Sequence, residues 1–464
     1  MSWIRTLASY RILSLSILFA CLGFSLVLPA NTDPDLRDFP DPTGAVRTVS
    51  TTGSVDTSNP FFQSLGTNGR ACITCHQPGD AWTVTPPHIQ QRFDSSDGLD
   101  PIFRTVDGAN CPSAPVSTRS ERKRAYSMLL EKGLIRISLP VPGNAAFAVT
   151  SVRDPHDCPQ TTTQQLAMFR RPLPSTNLKF LSTVMWDGRE NSPGRSIDLD
   201  LISQATDATR GHAQAAQDPT SEQLAQIVAF EMALFTAQAR DDDAGRLDAD
   251  GAQGGPESLS TQPFHLGIND VFGADPSGAP FNPVVFTIFQ NWADLRRSTP
   301  HEEARESVAR GQALFNTLVI PITGVAGIND ALNTPVFMGT CTTCHDTPNS
   351  GNHSLSVPLN IGVTAFPALA PLDTTGLPVY TLVCKATGEV FHVTDPGRAM
   401  ISGNCADIGK TKGPILRALA ARAPYFHNGS AATLLDVVNF YNVRFTLGLS
   451  EHEKSDLVAF LRSL

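Results

Sequence analysis

The sequence predicts a mainly α-helical chain with loop-rich insertions and few short strands, built from two similar units. Apolar residues recur at helical spacing over residues 220–239 and 301–316, whereas runs that alternate with period two are few and short. A charged fraction of 17%, with 34 glycines and 35 prolines among 464 residues, indicates many turns. The division into two units follows from a C-x-x-C-H motif that occurs once in each half of the chain.

The C-x-x-C-H motif occupies residues 72–76 and 341–345. Its spacing lets two thiols add to the vinyl groups of one haem, while the adjacent histidine supplies an axial nitrogen to the iron. A redox disulfide or a zinc half-site is the alternative, but a zinc ribbon would place its C-x-x-C pairs much closer together. The sequence therefore predicts two covalently bound haem c groups in two cytochrome c-like domains, held by Cys72, Cys75, His76, Cys341, Cys344 and His345.

The first thirty residues have the features of an export signal. Arg5 and Arg11 accompany a largely apolar stretch over residues 12–28, and a polar segment follows Ala30. A retained membrane anchor is the alternative, because the apolar run approaches the length that spans a bilayer. Haem c attachment takes place outside the bacterial inner membrane, so we expect residues 1–30 to be a signal peptide and the mature chain to be periplasmic.

Four further cysteines of the mature chain predict disulfide bonds. In an oxidising compartment they suggest two bridges, for which three pairings are possible. The pairs Cys111–Cys158 and Cys384–Cys405 are favoured because each closes a modest loop outside the haem motifs. Four buried free thiols are the alternative.

Helical patterns place the domain boundary near residue 300. The helix predicted over residues 220–239 is followed by a Gly/Asp-rich stretch to Pro256, which we interpret as a solvated linker or surface loop. A second helix over residues 301–316 then leads towards the second haem motif. We expect an N-terminal haem domain over residues 31–299, with an insertion and this linker, and a C-terminal haem domain over residues 300–464.

The end of the chain predicts a terminal helix packed on the helix that precedes the second motif. Ser450 and Glu453 form a capping-box pattern. An apolar stripe follows it, and Gly311 on the earlier helix allows a close crossing. The stripe consists of Leu457, Phe460, Leu461 and Leu464.

Charge excludes one class of partner. The formal net charge is −9, and neither a basic patch nor a run of lysines and arginines is present. Nucleic acid is therefore not an expected partner.

Four more sequence segments occur in a fixed order relative to the two haem motifs. W-D-G-R stands at residues 186–189, D-P-G-R at 395–398, A-P-Y-F-H-N-G-S at 423–430, and residues 433–441 lead into the terminal helix. With the two C-x-x-C-H motifs, they resemble the bacterial di-haem cytochrome c peroxidases and their MauG-type relatives. The resemblance implies a first haem that reacts with peroxide and a second haem that accepts or relays electrons.

The resemblance also assigns ligands and a relay. Trp186 matches a family tryptophan that lies between the haems and couples them. In the peroxidases the distal ligand of the second haem is a methionine fourteen residues after the histidine of P-Y-F-H; here that position, counted from His427, is Tyr441. MauG-type enzymes carry tyrosine there, so the expected iron ligands are His76, His345 and Tyr441. A packed aromatic role for Tyr441, with Met400 as the ligand, is the alternative.

On the distal side of the first haem the sequence departs from the family. Gln204 lies in a segment that resembles the family's L-x-x-Q-A, but Gln214 stands where an acid–base glutamate is expected. An amide cannot carry the proton, so His212 is the candidate. Ligation of the iron or a place on the surface are the alternatives for His212. Arg398 is the candidate partner for a haem propionate.

The remaining expectations concern partners and function. The resemblance implies hydrogen peroxide or a related oxidant, a small c-type cytochrome or cupredoxin as electron donor, and often a homodimer. The family often binds Ca²⁺, but residues 170–174 offer no asparagine and Arg422 replaces an expected threonine, so this sequence does not support it. The predicted function is that of a periplasmic di-haem c-type oxidoreductase of the peroxidase type. An electron carrier without peroxidase activity and a MauG-type oxidative modifying enzyme are the alternatives.

Overall fold

Local capping signals begin the helices of this chain where the sequence predicts them. The computed structural model describes residues 38–191, 194–295 and 299–464. The backbone N–H of Glu453 donates to Ser450 Oγ over 3.3 Å, and the backbone N–H of Ser450 donates to Glu453 Oε2 over 2.9 Å. The predicted capping box is therefore confirmed. The predicted signal peptide, residues 1–30, lies outside the described residues.

Ten α-helices are present in the described part of the chain, and most are short. Two 3₁₀ turns, Cys72–Thr74 and Cys341–Thr343, contain the C-x-x-C-H cysteines. The helices are α1 (Pro86–Ser96), α2 (Arg119–Ala125), α3 (Ser127–Lys132), α4 (Ile197–Gly211), α5 (Ser221–Ala233), α6 (Pro256–Ser260), α7 (Pro300–Thr317), α8 (Ala399–Ser402), α9 (Leu434–Phe445) and α10 (Glu451–Arg462).

The prediction of a mainly α-helical fold is wrong. About 29% of the described residues are helical and 16% are in strands, which form four small antiparallel sheets. Their orders are β1-β2-β6-β7, β11-β10-β4, β3-β5 and β8-β9. The strands are β1 (Phe39–Asp41), β2 (Gly44–Ser50), β3 (Ile135–Pro140), β4 (Phe147–Arg153), β5 (Gln165–Arg170), β6 (Leu234–Asp241), β7 (Gly245–Arg246), β8 (Ile320–Thr323), β9 (Val336–Gly339), β10 (Val379–Cys384) and β11 (Val390–Val393).

Non-local pairing explains why the strands were underestimated. β4 lies in the turn-rich segment after the first haem motif and pairs with β10 from the other half of the chain, with Phe147 opposite Cys384. β6 pairs with β2 across nearly two hundred residues, with Leu234 opposite Ser50. Such partners are not visible in a local sequence window, and β propensity depends strongly on them.

The helix predicted over residues 220–239 is confirmed only in its first part. α5 begins after the cap Thr220 and ends at Ala233, where β6 continues the chain. The stretch that follows is a surface loop that is partly buried, not a fully solvated linker. Ala244 and Leu247 are fully buried in the same core cluster as α7 and α10, and Asp241 is buried while pairing with Arg462 over 2.6 Å.

The predicted contact between the terminal helix and the helix before the second motif is confirmed. A Cβ atom on Gly311 of α7 would lie 1.9 Å from the carbonyl oxygen of Asp456 in α10, so only glycine permits this crossing. Beside it, the rings of Phe315 and Phe460 lie 5.4 Å apart. All four residues of the predicted apolar stripe are buried.

Both favoured disulfides are present. Cys111 bonds to Cys158, and Cys384 bonds to Cys405, with Cα–Cα distances of 5.4 and 5.9 Å. The first bridge lies between the first haem motif and W-D-G-R. Among the described helices, none has both the length and the apolar character needed to cross a bilayer.

Candidate haem and peroxide site

The two C-x-x-C-H motifs adopt the same local structure. In each, the threonine before the second cysteine accepts a hydrogen bond from the backbone N–H three residues earlier: Ala71 to Thr74 over 3.0 Å and Thr340 to Thr343 over 2.9 Å. The backbone N–H of the histidine then donates to the backbone carbonyl of the first cysteine over 3.1 Å in both motifs. The repeated sequence C-x-T-C-H therefore fixes one turn twice.

Each motif histidine has one ring nitrogen fixed by a backbone carbonyl. Nδ1 of His76 donates to Trp82 O over 2.9 Å, and Nδ1 of His345 donates to Gly351 O over 2.7 Å. Because a carbonyl can only accept, the proton lies on Nδ1 and Nε2 carries the lone pair. Burial lowers the pKa of both imidazoles to about 4, which keeps them neutral. Neutral, oriented imidazole is the form that binds iron.

The cysteines separate into two chemical classes. Cys72, Cys75, Cys341 and Cys344 are free thiols, whereas the other described cysteines are paired. The free thiols are the four that the motifs assign to haem attachment. The donor set thus fits two c-type haems.

One large cavity brings the two motifs together. Its walls contain the cysteines and the histidine of both motifs. The sequence-predicted residues Trp186, Gln204, His212 and Tyr441 line the same cavity. Residues more than 350 positions apart in the chain therefore face one continuous space.

Cations in the cavity wall, two of them buried, fit the carboxylates of a haem. Arg171, Lys412 and Arg422 line the cavity and donate to backbone carbonyls. Among the ion pairs of the described residues, none joins these three to a carboxylate. Burial lowers the pKa of Lys412 to about 8 and those of both arginines to about 10. A buried cation is costly without an anion, so the cavity suits the propionates of haem.

Arg171 and Arg422 also bear on whether this region could bind Ca²⁺. Nη2 of Arg171 donates to the carbonyl of Arg422 over 3.1 Å, which brings these two basic residues together. These residues favour anions over a further cation.

His212 lies at the end of α4 and is paired with a buried carboxylate. Its Nδ1 lies 2.5 Å from Oδ2 of Asp107, and Arg70 Nη1 lies 2.5 Å from Oδ1 of the same group. Burial alone would raise the pKa of Asp107, but the hydrogen bonds and charges of His212 and Arg70 lower it below its ordinary value. An ionised Asp107 keeps the Nδ1 proton in place, so Nε2 of His212 is the free acceptor.

Gln204 lies two turns earlier on α4 and also faces the cavity. Leu201, Ala205 and Ala208 share this face of the helix. Gln204 therefore offers an amide donor on the same wall as His212. It can orient an oxygen atom but cannot carry a proton.

Trp186 is held by one hydrogen bond and one ring contact. Its Nε1 donates to the carbonyl of Arg171 over 2.8 Å, and its ring lies edge-on to His427 at 6.0 Å. Arg170 fixes the adjoining backbone by binding Asp187 of W-D-G-R and, over 2.7 Å, Asp395 of D-P-G-R. All three side chains are buried, so the two motifs form one rigid support for the tryptophan.

Arg398 does not line the cavity and donates hydrogen bonds to backbone carbonyls. Its Nη1 donates to the carbonyls of Gly188 over 2.7 Å and Asp187 over 3.2 Å. The propionate role for Arg398 stays a prediction. Arg171, Lys412 and Arg422 are better placed for it, because they line the cavity.

Tyr441 and Met400 are in different surroundings. Tyr441 lies on α9 and lines the cavity with the second motif, whereas Met400 is buried in a separate cluster around Tyr380 and Leu382. Burial raises the pKa of the Tyr441 hydroxyl above its ordinary value. A phenolate at this position therefore needs a neighbouring positive charge such as ferric iron.

Comparison with known proteins identifies relatives for part of the chain. It is 38% identical over 141 residues to the cytochrome-c peroxidase IdrP2 of Denitromonas iodatirespirans, and 34% identical over 191 residues to IdrP1 of the same organism. Over these segments the chain is similar to cytochrome-c peroxidases. The matches cover 27% and 38% of this chain and span 36% and 44% of those two proteins, which is less than half of their length. The predicted family resemblance is confirmed.

Two other comparisons concern family models and solved structures. No family model matches the chain. A solved MauG-like protein associated with microbial copper homeostasis aligns over 93% of this chain and 94% of its own, with 16% identity and a TM-score of 0.38.

Two residues of the candidate site were not predicted from the sequence. Asp107 is 105 positions from His212, and nothing local in the sequence predicts that they pair. Glu231 lines the cavity, and burial raises its pKa to about 8. For Glu231 a signal was available, because it continues the apolar stripe of Leu224, Ile227 and Val228 at position i+7. A carboxyl group in such a stripe predicts a buried acid.

Proposed function

We propose that this chain is an exported, di-haem c-type oxidoreductase that reduces peroxide. The observation that carries the proposal is the single cavity that both C-x-x-C-H motifs line together with Trp186, Gln204 and His212. When bound, the first haem would supply the iron that reacts with peroxide and the second would take electrons from a small c-type cytochrome or cupredoxin. The names of the relatives support the same chemistry.

The protein's own contribution at the first haem is proton handling. The resemblance leads one to expect a carboxylate base, which Gln214 cannot replace. The pair of Asp107 and His212 offers another solution, because Asp107 holds the imidazole tautomer in which Nε2 accepts a proton. Gln204 would hold the peroxide oxygen while His212 takes a proton from one oxygen atom and returns it to the other.

Substitution of His212 tests this role. We expect His212→Ala to slow peroxide reduction roughly 10²- to 10⁴-fold, the usual contribution of a general acid–base group. The measurement is steady-state peroxide reduction by haem-loaded protein with a reduced c-type cytochrome as donor. His88→Ala is the matched control, because His88 also pairs with a buried aspartate, Asp80, over 2.6 Å but does not line the cavity. Equal rates in both variants would remove His212 from the mechanism.

A second function, oxidation of an organic or protein substrate by a MauG-type enzyme, is favoured by Tyr441. A phenolate oxygen stabilises ferric and higher oxidation states, whereas a thioether favours ferrous iron. The location of Tyr441 in the cavity, with Met400 elsewhere, supports this ligand for the second haem. Under this function the second haem would share oxidising equivalents with the first.

The substitution Tyr441→Met tests whether Tyr441 binds the iron or is only a packed aromatic residue. If Tyr441 binds iron, this change replaces an anionic oxygen with a thioether and raises the reduction potential of the second haem. A spectroscopic redox titration measures the shift. Tyr425→Phe is the control, because Tyr425 also lines the cavity but its hydroxyl donates to the carbonyl of Leu419 over 2.9 Å. An unchanged potential in Tyr441→Met would exclude Tyr441 as the ligand.

A further inference from the structure

A buried polar cluster lies next to the second haem motif but outside the cavity. Its members are Asp270, Asp346 and His353, which are 0%, 0% and 4% exposed. One ligand atom from each residue lies within 4.8 Å of the other two. None of the three residues lines the haem cavity.

The cluster contains polar atoms without partners. Five buried atoms of the cluster make no hydrogen bond: both carboxylate oxygens of Asp346, both ring nitrogens of His353, and Oδ1 of Asp270. The closest approach between the ring and the Asp346 carboxylate is 3.4 Å, from Nδ1 to Oδ2. Buried groups of this kind normally have partners, because an unpaired one costs roughly 1–3 kcal/mol, and more when it is charged.

Charge points to the missing partner. Among the ion pairs of the described residues, His353 is the only basic group that pairs with Asp346, and no lysine or arginine pairs with Asp270. Two buried carboxylates face a single imidazole, so the cluster keeps a net negative charge whether or not the ring is protonated. A divalent cation neutralises this charge and uses the lone pairs that lack hydrogen bonds.

We propose that Asp270, Asp346 and His353 bind a divalent transition-metal ion of the Zn²⁺ type. One imidazole and two carboxylates are ligands that such ions accept in a four-coordinate site, with the fourth position open to water. Ca²⁺ fits less well, because it takes six to eight oxygen ligands and this set includes a nitrogen.

The backbone around the cluster positions its ligands. Oδ2 of Asp270 accepts from the N–H groups of Phe272 and Ala274 over 2.9 and 3.1 Å, which leaves Oδ1 free. Asn269 donates to the carbonyl of Asp346 over 3.2 Å. These contacts bring the loop that carries Asp270 against the residue that follows the motif histidine.

The metal would stabilise the support of the second haem. The N–H of Thr347 donates to the carbonyl of Asn352 over 2.9 Å, and this turn returns the chain so that His353 meets Asp346. The carbonyl of Gly351, in the same turn, accepts from Nδ1 of His345. A metal joining Asp346 to His353 therefore closes the turn that orients the iron ligand.

Metal analysis of the haem-loaded protein tests the site. The protein is treated with a chelator, equilibrated with Zn²⁺, desalted and measured by plasma mass spectrometry. We expect about one zinc ion per two haem irons, and a zinc affinity more than about 100-fold weaker in Asp270→Asn and in His353→Gln. Asp275→Asn is the control, because Asp275 orders the same loop through Ser277 and Asn269 but is outside the cluster.

The outcomes distinguish metal binding from folding and from peroxide chemistry. Haem content and circular dichroism report folding, and the low-spin electron paramagnetic resonance signal of the second haem should broaden or shift when zinc is removed from the wild-type protein. Zinc-free wild-type protein after equilibration, or equal zinc binding by the cluster variants, would overturn the proposal. Preferential binding of Ca²⁺ in the same assay would overturn the assignment to a transition metal. Zinc content is measured without peroxide, so it does not depend on the proposed activity.

Discussion

At the scale of single residues, the chemistry depends on how neighbouring groups fix one proton. His76 and His345 are made ready for iron by carbonyl oxygens, whereas Nδ1 of His212 is held by the carboxylate of Asp107. The first arrangement leaves a neutral ligand, and the second holds the imidazole tautomer in which Nε2 can accept a proton. This difference supports different roles for histidines that line the same cavity.

Glu231 gives a prediction about stability and pH. Its folded-state pKa of about 8 lies above the ordinary 4.5, so the folded protein holds a proton that the unfolded chain releases. This contribution to stability is complete below pH 4.5 and is lost as the pH rises through about 8. We expect Glu231→Gln to remove this decrease in the free energy of unfolding with rising pH, which is worth on the order of a few kcal/mol by pH 9.

Urea unfolding of the haem-loaded protein between pH 5 and pH 9 measures this effect. Glu222→Gln is the matched control, because Glu222 lies on the same helix, α5, but is exposed. A wild-type stability profile that Glu231→Gln leaves unchanged would contradict the buried, protonated state of Glu231.

At the scale of elements, the helix pair α7–α10 depends on one glycine. Gly311→Ala would place a methyl group 1.9 Å from the carbonyl oxygen of Asp456, so the helices must separate. We expect a loss of roughly 1–3 kcal/mol in the free energy of unfolding, together with weaker retention of the second haem. Chemical denaturation and haem content measure the two effects.

Gly211→Ala is the control for this prediction. Gly211 ends α4, and nothing lies within 4 Å of a Cβ built on it. Alanine is the better helix former, so this variant should be neutral or slightly more stable. Equal destabilisation by the two substitutions would show that the close crossing is not the cause.

The same elements show what could be predicted from sequence. Caps and apolar stripes are local, so α10 and its contact with α7 were predicted correctly from Ser450, Glu453 and Gly311. β6 was not, because the chain after Ala233 forms a strand through pairing with β2, which lies almost two hundred residues earlier. The residues around Asp241 were interpreted as solvated for a similar reason: their partners, Arg462 and the core of α10, are distant in the chain.

At the scale of the whole molecule, the candidate site was predicted in its parts but not in its arrangement. Two short motifs predict the haem ligands, and the family resemblance, counted from His427, predicts Tyr441. The partners that complete the site come from distant segments, as with Asp107 for His212 and Arg170 for both Asp187 and Asp395. These pairs are created by the fold, and single-sequence reasoning has no signal for them.

The central claim is that the first haem reacts with peroxide. Low-temperature electron paramagnetic resonance of the oxidised, haem-loaded protein, before and after peroxide, tests it most directly. We expect a high-spin ferric signal from the first haem that disappears on addition of peroxide, beside a low-spin signal from the second. Two low-spin signals that peroxide leaves unchanged, in both the oxidised and the half-reduced protein, would contradict it and indicate an electron carrier.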